Sequence, residues 1–501
     1  MALSAVGQSA RPFPPGFRRL AAAGRLGSGR SLQNKAVGQV SGGRGRVLAL
    51  KAGGGRIRPL AGTDAPPLPR PMVGDGVEAA GGVGEVFGSL HWKTVLVFVS
   101  LPMVLQVFHY MIDVGPVYYL SKIWPLALLP LGLKVFREFS GEKVIYGFAI
   151  VYLTGVTPIM SMIHFDNNVV DALATTVKVW PLTYFFSFLG LLWIARPQED
   201  RLRAQVLGLG LATLAVMWLM WIFIPKSFYS SQIGMTKLFL WDELRSYHIY
   251  FPMTFSLILL FYSVRRFLST HRAWIWMLPA LFGLLTMAVI LKQRTTIAAA
   301  LVVVGLIVLR RLPRPMLIGA VALGGALAVL GGVIVLLAPP GGPADAITSL
   351  FDFGGSLSVR QQTAAKAAGV IFASPLSWIL GSGAITRLSP VTLNDIFASK
   401  MFFLADIGWL GVLFEYGAIG SILIALVYAI GLRRALRSGI APPGSPAGDF
   451  RGALGDMIVM VSVETLIYSP VFTPGIVAGL TAFLIYLDKG VPARGGGMQR
   501  G

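Results

Sequence analysis

Apolar stretches of about twenty residues recur along the chain from residue 93 onwards, separated by short polar segments. A helix needs about 20 mostly apolar residues to cross the hydrocarbon core of a bilayer. On that criterion the pattern predicts about twelve spans, at 93–112, 115–134, 144–163, 177–195, 205–224, 248–267, 273–291, 296–310, 316–338, 413–432, 453–470 and 473–488. The expected fold class is therefore all-α, a polytopic bundle of membrane helices.

The loops between these spans alternate between rich and poor in lysine and arginine. The rich set carries Lys134, Arg137, Lys143, Arg196, Arg201, Arg203, Arg265, Arg266, Arg272, Arg310, Arg311, Arg314, Arg433, Arg434, Arg437, Lys489 and Arg494. Because basic loops stay in the cytoplasm, this alternation predicts that both termini are cytoplasmic. The loops 164–176, 225–247, 292–295 and 339–412 then face the opposite side, which we assign to the periplasm.

Three regions follow from this pattern. Residues 1–90 are rich in Gly, Pro and Arg, with no acidic residue before Asp64, and are expected to be a disordered basic cytoplasmic tail. Residues 91–490 form the transmembrane domain, which includes a large periplasmic loop, 339–412, before the last three spans. Residues 491–501 are a cytoplasmic tail.

Composition and charge exclude several classes of function. The chain is 55% hydrophobic and 13% charged, whereas soluble domains carry about 25% charge. The formal charge of +21 does not indicate nucleic-acid binding, because the excess of Lys and Arg follows the loops and not one patch. With no cysteine, a disulfide framework, a thiolate nucleophile and a Cys-ligated metal are excluded. Nothing in the pattern calls for a cofactor or a metal.

Five cations go against the charge bias on the far side: Arg245, Lys292, Arg294, Arg360 and Lys366. Basic side chains that flank an apolar span on that side are candidates for binding an anion. The alternative is that each long side chain simply extends from a helix end to the interface. For Arg245, the adjacent acids of WDELR offer a further alternative, an ion pair.

The large far-side loop is long enough to carry function. Within it, SVRQQTAAKAAGVIFAS predicts an amphipathic helix. The loop ends in MFFLADIGWLGVLFEYG, a half-apolar stretch expected to be re-entrant or interfacial.

Three separated stretches resemble one family, the O-antigen polymerase/ligase superfamily of membrane glycosyltransferases. The first is RSYHIYFPMTFS, with Arg245 before a span, and the second is LKQRTTIAAA, with Arg294 at a span start. The third joins SVRQQTAAKAAGVIFASPLSWILGSGA to LADIGWLGVLFEYGAIG, and its matching residues are Arg360, Pro375, Gly381, Gly383, Asp406, Glu415, Gly417 and Gly420. Their order and shared far-side position carry the resemblance.

The resemblance implies a substrate and a location. The substrate would be an oligosaccharide on undecaprenyl diphosphate in a bacterial inner membrane, transferred onto the free end of another lipid-linked glycan. A chain-length regulator and export proteins would be partners. Ligases of this superfamily carry a His where this chain has Asp406, nine residues before Glu415, and this difference favours a polymerase. A ligase and a non-enzymatic polysaccharide transporter or lipid flippase remain alternatives.

The chemistry of such a transfer assigns roles to the candidate residues. A diphosphate leaving group needs fixed cations, and the planar fork of Arg suits phosphate oxygens. We therefore predict Arg294 and Arg360 as catalytic, with Asp406 as the base for the acceptor hydroxyl. Asp406 could instead cap a helix or pair with Arg360. Four further residues are predicted to bind the diphosphate or glycan: Arg245, Lys292, Lys366 and Glu415, the last of which could instead orient the loop.

Two other polar features are open to more than one interpretation. The segment HFDNNVVD on the far side could bind a divalent metal, but a solvated or glycan-contacting loop is the expectation. Glu464 falls within the predicted span 453–470, where a carboxylate is costly unless it has a partner. The sequence does not identify that partner.

Overall fold

The structure, a computed structural model, describes most of the chain between Trp92 and Lys489. The residues outside the described part are 1–91, 109–110, 112–113, 134, 136–140, 232–237, 243–244, 271–273, 314–355 except Met316 and Gly319, 386–403 except Leu393 and Phe397, 439–443, 471–473 and 490–501. The predicted span 316–338, both predicted tails and much of the predicted loop 339–412 therefore lie outside the described residues.

The described chain is mostly helical. Its helices are α1 (Trp92–Val104), α2 (Gly115–Ala127), α3 (Leu129–Gly132), α4 (Glu142–Phe165), α5 (Val169–Ala174), α6 (Tyr184–Ala195), α7 (Glu199–Phe223), α8 (Thr254–Ser269), α9 (Trp274–Thr286), α10 (Arg294–Leu309), α11 (Ser356–Ile371), α12 (Pro375–Leu380), α13 (Trp409–Ser438), α14 (Pro446–Glu464) and α15 (Pro474–Asp488). A π-helical segment, Met287–Leu291, extends α9.

Within the described residues, four helices are long and apolar enough to cross a membrane: α4, α7, α9 with its π-helical extension, and α13. The segments Val169–Lys178 and Trp180–Ala195 form a fifth candidate, bent by 54°. One face of α4 is apolar and open to the surroundings of the protein: Phe148, Val151 and Ile163 are each more than 60% exposed there. Such a surface suits lipid better than water. The described chain thus has the character of an α-helical membrane protein.

Every predicted span within the described residues overlaps a helix, but several boundaries differ. The span expected to start at residue 248 begins at Thr254, because the preceding residues pair as a hairpin of β1 (Phe239–Asp242) and β2 (Ser246–Ile249). This short hairpin is an addition to a mostly helical chain, which is consistent with the predicted all-α class. The span expected at 453–470 is α14, which starts earlier because the Ser445 side chain accepts a hydrogen bond from the Gly448 N–H.

The core of the bundle is built around two helices. α15 is buried along nearly its whole length against α6, α13 and α14. α8 is buried from Thr254 to Ser263 between α7, α9 and α14. Small residues allow the helices to approach, as at Gly210, where a Cβ atom would lie 2.8 Å from the carbonyl oxygen of Phe255.

Arginines from the loops that we assigned to the cytoplasm form ion pairs within the bundle. Arg265 makes two hydrogen bonds to Asp456, at 2.5 and 2.8 Å, and both side chains are buried. Further pairs join Arg266 to Asp449, Arg434 to Glu142 and Arg451 to Glu199. We call the end of the bundle that holds these four ion pairs the ion-pair end.

Candidate functional site

A cavity of about 360 Å³ lies among helix ends that do not belong to the ion-pair end. The N-terminal ends of α8 and α10 and the C-terminal half of α14 form its walls, together with the turn after α1 and the turn Leu404–Ile407 before α13. Ligand pockets are typically about 300–1,000 Å³. The polar residues that line the cavity are Gln106, Tyr250, Thr254, Gln293, Thr296, Asp406, Glu464, Thr465, Tyr468 and Ser469.

Asp406 is held in the cavity wall by the short turn that carries it. The Ser469 N–H donates to the carbonyl oxygen of Ala405 at 2.7 Å, which ties this turn to the segment after α14. Gly408 has a φ of +56°, and a Cβ there would lie 3.0 Å from the carbonyl oxygen of Thr465, so glycine permits the close approach. Burial raises the pKa of Asp406, and the charge of Arg360 partly opposes this effect.

Arg360 reaches this site from α11, the helix predicted in the large loop and confirmed in the structure. Thr363, Ala367 and Ile371 form its buried face, while Gln361 and Lys366 are exposed, so the helix is amphipathic as expected. The guanidinium carbon of Arg360 lies 5.9 Å from the centre of the Tyr468 ring, within the range of a cation–π contact. Arg360 therefore lies beside both an aromatic wall of the cavity and Asp406.

Tyr468 and Glu464 connect α10 to the segment that ends α14. The Tyr468 hydroxyl accepts a hydrogen bond from Thr295 Oγ1 at 3.0 Å. The Glu464 side chain has a hydrogen bond from the Thr296 side chain. Glu464 is the last residue of α14, not an interior residue of a span as predicted. Its partner, which the sequence did not identify, is a hydroxyl in the cavity wall.

Arg245 and Lys292 come together beside the hairpin. The Arg245 backbone N–H and Nε donate to Asp242 at 2.6 and 2.8 Å, so the ion pair considered from the sequence is present. Burial would raise the pKa of Asp242, but these hydrogen bonds and the charge of Arg245 lower it. Lys292 Nζ donates to the Arg245 carbonyl oxygen at 2.9 Å. The charge of Arg245 acts on Tyr250, a residue of the cavity lining, so this cation pair lies beside the cavity although neither residue lines it.

Of the predicted site residues, Asp406 alone is part of the cavity lining. Arg294 is exposed at the first residue of α10, directly after the lining residue Gln293. Lys366 donates to the carbonyl oxygen of Phe397 at 3.0 Å. Glu415 forms an ion pair with Lys178, 2.5 Å apart. Asp406 thus lines the cavity, Arg360 contacts its lining residue Tyr468, and Arg245 acts on its lining residue Tyr250. Lys366 and Glu415 have protein partners instead.

The motif glycines hold the large loop against the bundle. Gly417 breaks α13 with a φ of 63° and a ψ of −172°, a conformation open essentially to glycine alone. A Cβ at Gly417 would overlap the backbone of Ile379 and Gly381, and one at Gly381 would lie 2.5 Å from the Glu415 carbonyl oxygen. The Gly383 N–H donates to that same oxygen at 3.2 Å. These glycines therefore allow the backbones of the loop and α13 to pack closely.

The HFDNNVVD segment supports the same packing. His164 Nε2 lies 3.1 Å from the Ser377 hydroxyl on α12. Asn167 donates to the Ser161 hydroxyl, which in turn donates to the Ala384 carbonyl oxygen at 2.6 Å. No group of three or more His, Cys, Asp or Glu side chains in the described chain could hold a metal ion. His164 and Asn167 are therefore contacts of the loop, whereas Asp166 and Asn168 are exposed, as expected of a solvated segment.

Gln106 is a site residue that the sequence analysis missed. It lines the cavity just after α1, is 2% exposed, and has a positive φ of 57°. Neither its amide nitrogen nor its amide oxygen has a hydrogen-bond partner. Buried polar groups usually have partners, so this side chain is unusual. Gln106 falls inside the predicted span 93–112, where one uncharged polar residue was not singled out.

No family model matches this chain, and no curated protein matches it either. The resemblance to membrane glycosyltransferases therefore rests on the motifs within this chain. Function has to be argued from the cavity and the charged groups around it.

The arrangement has two chemical capabilities. A half-buried carboxylate with a raised pKa, Asp406, can accept a proton from a bound hydroxyl. Arg360 and the pair Arg245 and Lys292 can stabilise an anion at the cavity margin. A base and a set of cations around one small cavity suit a transfer reaction with an anionic leaving group.

Proposed function

We propose that the chain is a polysaccharide polymerase of a bacterial inner membrane. It would join lipid-diphosphate-linked oligosaccharide repeat units into an O-antigen, capsular or exopolysaccharide chain on the periplasmic face. The observation that carries the proposal is the position of Asp406 beside Arg360 in the wall of a cavity of about 360 Å³. The motif resemblance supplies the substrate class, undecaprenyl-diphosphate-linked oligosaccharide.

In the proposed step, Asp406 takes the proton of an acceptor sugar hydroxyl. The hydroxyl oxygen forms a bond to the anomeric carbon of the donor glycan, and the bond from that carbon to the lipid diphosphate breaks. The electron pair of the broken bond leaves with the diphosphate. Because burial raises the pKa of Asp406, it is a stronger base than an ordinary aspartate.

The leaving diphosphate needs cations in fixed positions. Arg360 is the first candidate because it lies near Asp406 and over Tyr468. Lys292 is held to the Arg245 backbone beside the cavity. Because Asp242 pairs with Arg245, the three residues together carry one net positive charge. Arg294 follows at the start of α10. Removing one such group commonly costs about 10²–10³ in rate.

The same proposal includes a topology of about twelve spans with both termini in the cytoplasm. Two sets of helix ends support it. The arginines of the base-rich loops meet acidic residues at the ion-pair end, as Arg266 does with Asp449. The cavity is lined by segments from the base-poor side, such as Thr254 and Gln293. Partners on the periplasmic side would be a chain-length regulator and export proteins.

A transporter or flippase is the second candidate. The observation in its favour is Glu464, a carboxylate at the cavity end of an apolar helix, since such residues often mark substrate or proton paths. A ligase is a third outcome, which the absence of a His at position 406 disfavours.

Deleting the gene and sizing the lipid-linked glycans separates these functions. Single repeat units on the lipid, without long chains, would support a polymerase. Long chains retained on the lipid would indicate a ligase, and single units trapped on the cytoplasmic leaflet would indicate a flippase.

A substitution then tests the site in the same cells. Asp406→Asn removes the base while keeping the side-chain shape, so we expect polymer to fall at least about 100-fold at normal protein level. Asp166→Asn is the matched control, because Asp166 is an exposed acid on the same predicted side and its left-handed conformation suits Asn. Equal polymer yield from both variants would reject Asp406 as the base.

A further inference from the structure

A short segment of the large loop descends along a helix that can cross the membrane. This segment, residues 374–384, contains α12 and the turn after it, and it packs against α4. Ser377 lies 3.1 Å from His164, near the end of α4. Three residues later, the Leu380 carbonyl oxygen lies 3.2 Å from the Tyr152 hydroxyl. The chain therefore runs from the end of α4 towards its middle.

The segment then turns back towards the level at which it started. Gly381 and Gly383 each have a φ of 88°, which suits a tight reversal of the chain. After the reversal, the Ala384 carbonyl oxygen accepts a hydrogen bond from Ser161 at 2.6 Å. Ser161 lies one turn before the end of α4. Segment 374–384 thus enters and leaves on the same side.

The position of Tyr152 shows how deep the segment reaches. α4 begins with Glu142 at the ion-pair end and finishes with Phe165, 13 residues after Tyr152. At 1.5 Å per residue, Tyr152 lies about 20 Å below Phe165 along the helix, and the hydrocarbon core is about 30 Å thick. The tip of the segment therefore lies beside the part of α4 that would cross the bilayer.

Backbone at this depth needs partners within the protein, and a break in α13 supplies them. Gly417 interrupts the helix with non-helical φ and ψ angles. The Ser382 N–H donates to the Phe414 carbonyl oxygen at 2.7 Å. The Gly383 N–H donates to the Glu415 carbonyl oxygen at 3.2 Å. Irregular backbone is tolerated at membrane depth when protein groups satisfy it in this way.

The outer side of α12 is apolar. Leu376, Trp378 and Ile379 are each between 40% and 44% exposed. Residues 367–386 contain no charged side chain. An exposed surface of this kind is unsuited to water, and a Trp among aliphatic residues is typical of a membrane interface.

This apolar surface is continuous with the exposed face of α4. Ile163, 62% exposed, directly precedes His164, the residue that contacts Ser377. The same face of α4 continues towards the ion-pair end with Val151 and Phe148, which are also exposed. If lipid surrounds α4, lipid therefore also reaches α12.

We propose that residues 374–384 form a re-entrant segment that enters the bilayer from the predicted periplasmic side. Leu376, Trp378 and Ile379 contact the acyl chains, while α4 and the break in α13 hold its backbone. Residues 372–374 alone separate α12 from α11, so the segment also ties the helix that carries Arg360 to the bilayer. The inference does not depend on the polymerase.

Site-directed spin labelling tests the insertion, because the chain has no cysteine of its own. Trp378→Cys and Ile379→Cys are labelled with a nitroxide in the full-length chain, in nanodiscs of phosphatidylethanolamine and phosphatidylglycerol. EPR then gives the collision rates of each label with oxygen and with nickel ethylenediaminediacetate. Apolar oxygen concentrates among acyl chains, whereas the polar chelate stays in water.

Two matched labels define the limits of the assay. Phe148→Cys reports the exposed face of α4, and Gln361→Cys reports an exposed polar position on α11. We expect the oxygen-to-nickel ratio at Trp378 and Ile379 to exceed that at Gln361 at least about fivefold. A ratio equal to that at Gln361 would place α12 in water and overturn the inference. Low collision rates with both reagents would mean that protein covers α12, which would overturn it as well.

A third label separates re-entry from a helix that lies flat on the membrane. Leu376 is near the start of α12, and Ile379 is near its tip beside Tyr152. The oxygen-to-nickel ratio should therefore be higher for Ile379→Cys than for Leu376→Cys. Equal ratios at the two positions would show an interfacial helix and overturn re-entry.

Discussion

The buried pair of Arg265 and Asp456 allows a quantitative prediction about stability. The carboxylate accepts two hydrogen bonds from the guanidinium, and Asp456 is 3% exposed. Removing one partner of such a pair leaves an uncompensated buried charge, which costs about 3–5 kcal/mol. Arg310 lies 3.8 Å from the same carboxylate, so its charge also loses a partner. Asp456→Ala should therefore destabilise the folded chain by at least about 3 kcal/mol.

Thermal melting of the purified chain in micelles, followed by tryptophan fluorescence, measures the effect. With an unfolding entropy of about 2.1 cal/mol/K per residue over the roughly 400 residues of the predicted transmembrane domain, the loss lowers Tm by about 4–6 °C. The double variant Arg265→Met with Asp456→Leu removes both charges and should melt close to wild type. If Asp456→Ala alone melted within 1 °C of wild type, the pair would not be desolvated as its burial requires.

Two further predictions concern the site and its support. Arg360→Ala removes the positive charge that lowers the pKa of Asp406, so that pKa should rise. The acid limb of the pH–rate profile, where the base becomes protonated, should therefore move to higher pH. Lys226 is an exposed lysine on the same predicted side, and Lys226→Ala should leave the acid limb in place. If the acid limb does not move in Arg360→Ala, the charge of Arg360 does not act on the pKa of Asp406. Gly417→Ala should lower stability by about 2–6 kcal/mol through a strained φ and overlap with neighbouring backbone, whereas Gly147→Ala in α4, with nothing within 4 Å, should not lower Tm.

Several parts of the candidate site could be predicted from local pattern. Arg360 was predicted on an amphipathic helix in the large loop, and the structure has it there. Its charge on the base-poor side marked it as unusual without any knowledge of its neighbours. Asp406 was identified by its position in an apolar stretch, and it does lie in a cavity wall. The helix could be predicted because periodicity is a property of neighbouring residues in the chain. The roles of Arg360 and Asp406 stay predictions.

Other parts depended on residues far apart in sequence. Glu415 was predicted to bind substrate, but its carboxylate pairs with Lys178, 237 residues away. Arg265 and Arg266 were counted as loop charges that set orientation, yet they pair with acids of α14 inside the bundle. Neither pairing leaves a trace in the local pattern, because an ion pair depends on which helices pack together.

The sequence by itself determined the helical, lipid-suited character of the described chain, since the length and apolarity of a span are set by consecutive residues. Gly417 was noted only as part of the family motif, and the structure gives the reason for it, a positive φ and the close approach of the Gly381 backbone. The tertiary structure alone decided that Gln106, Asp406 and Glu464 share one cavity. Three residues from distant segments meet because helix packing brings their ends together, and that packing is a property of the whole bundle.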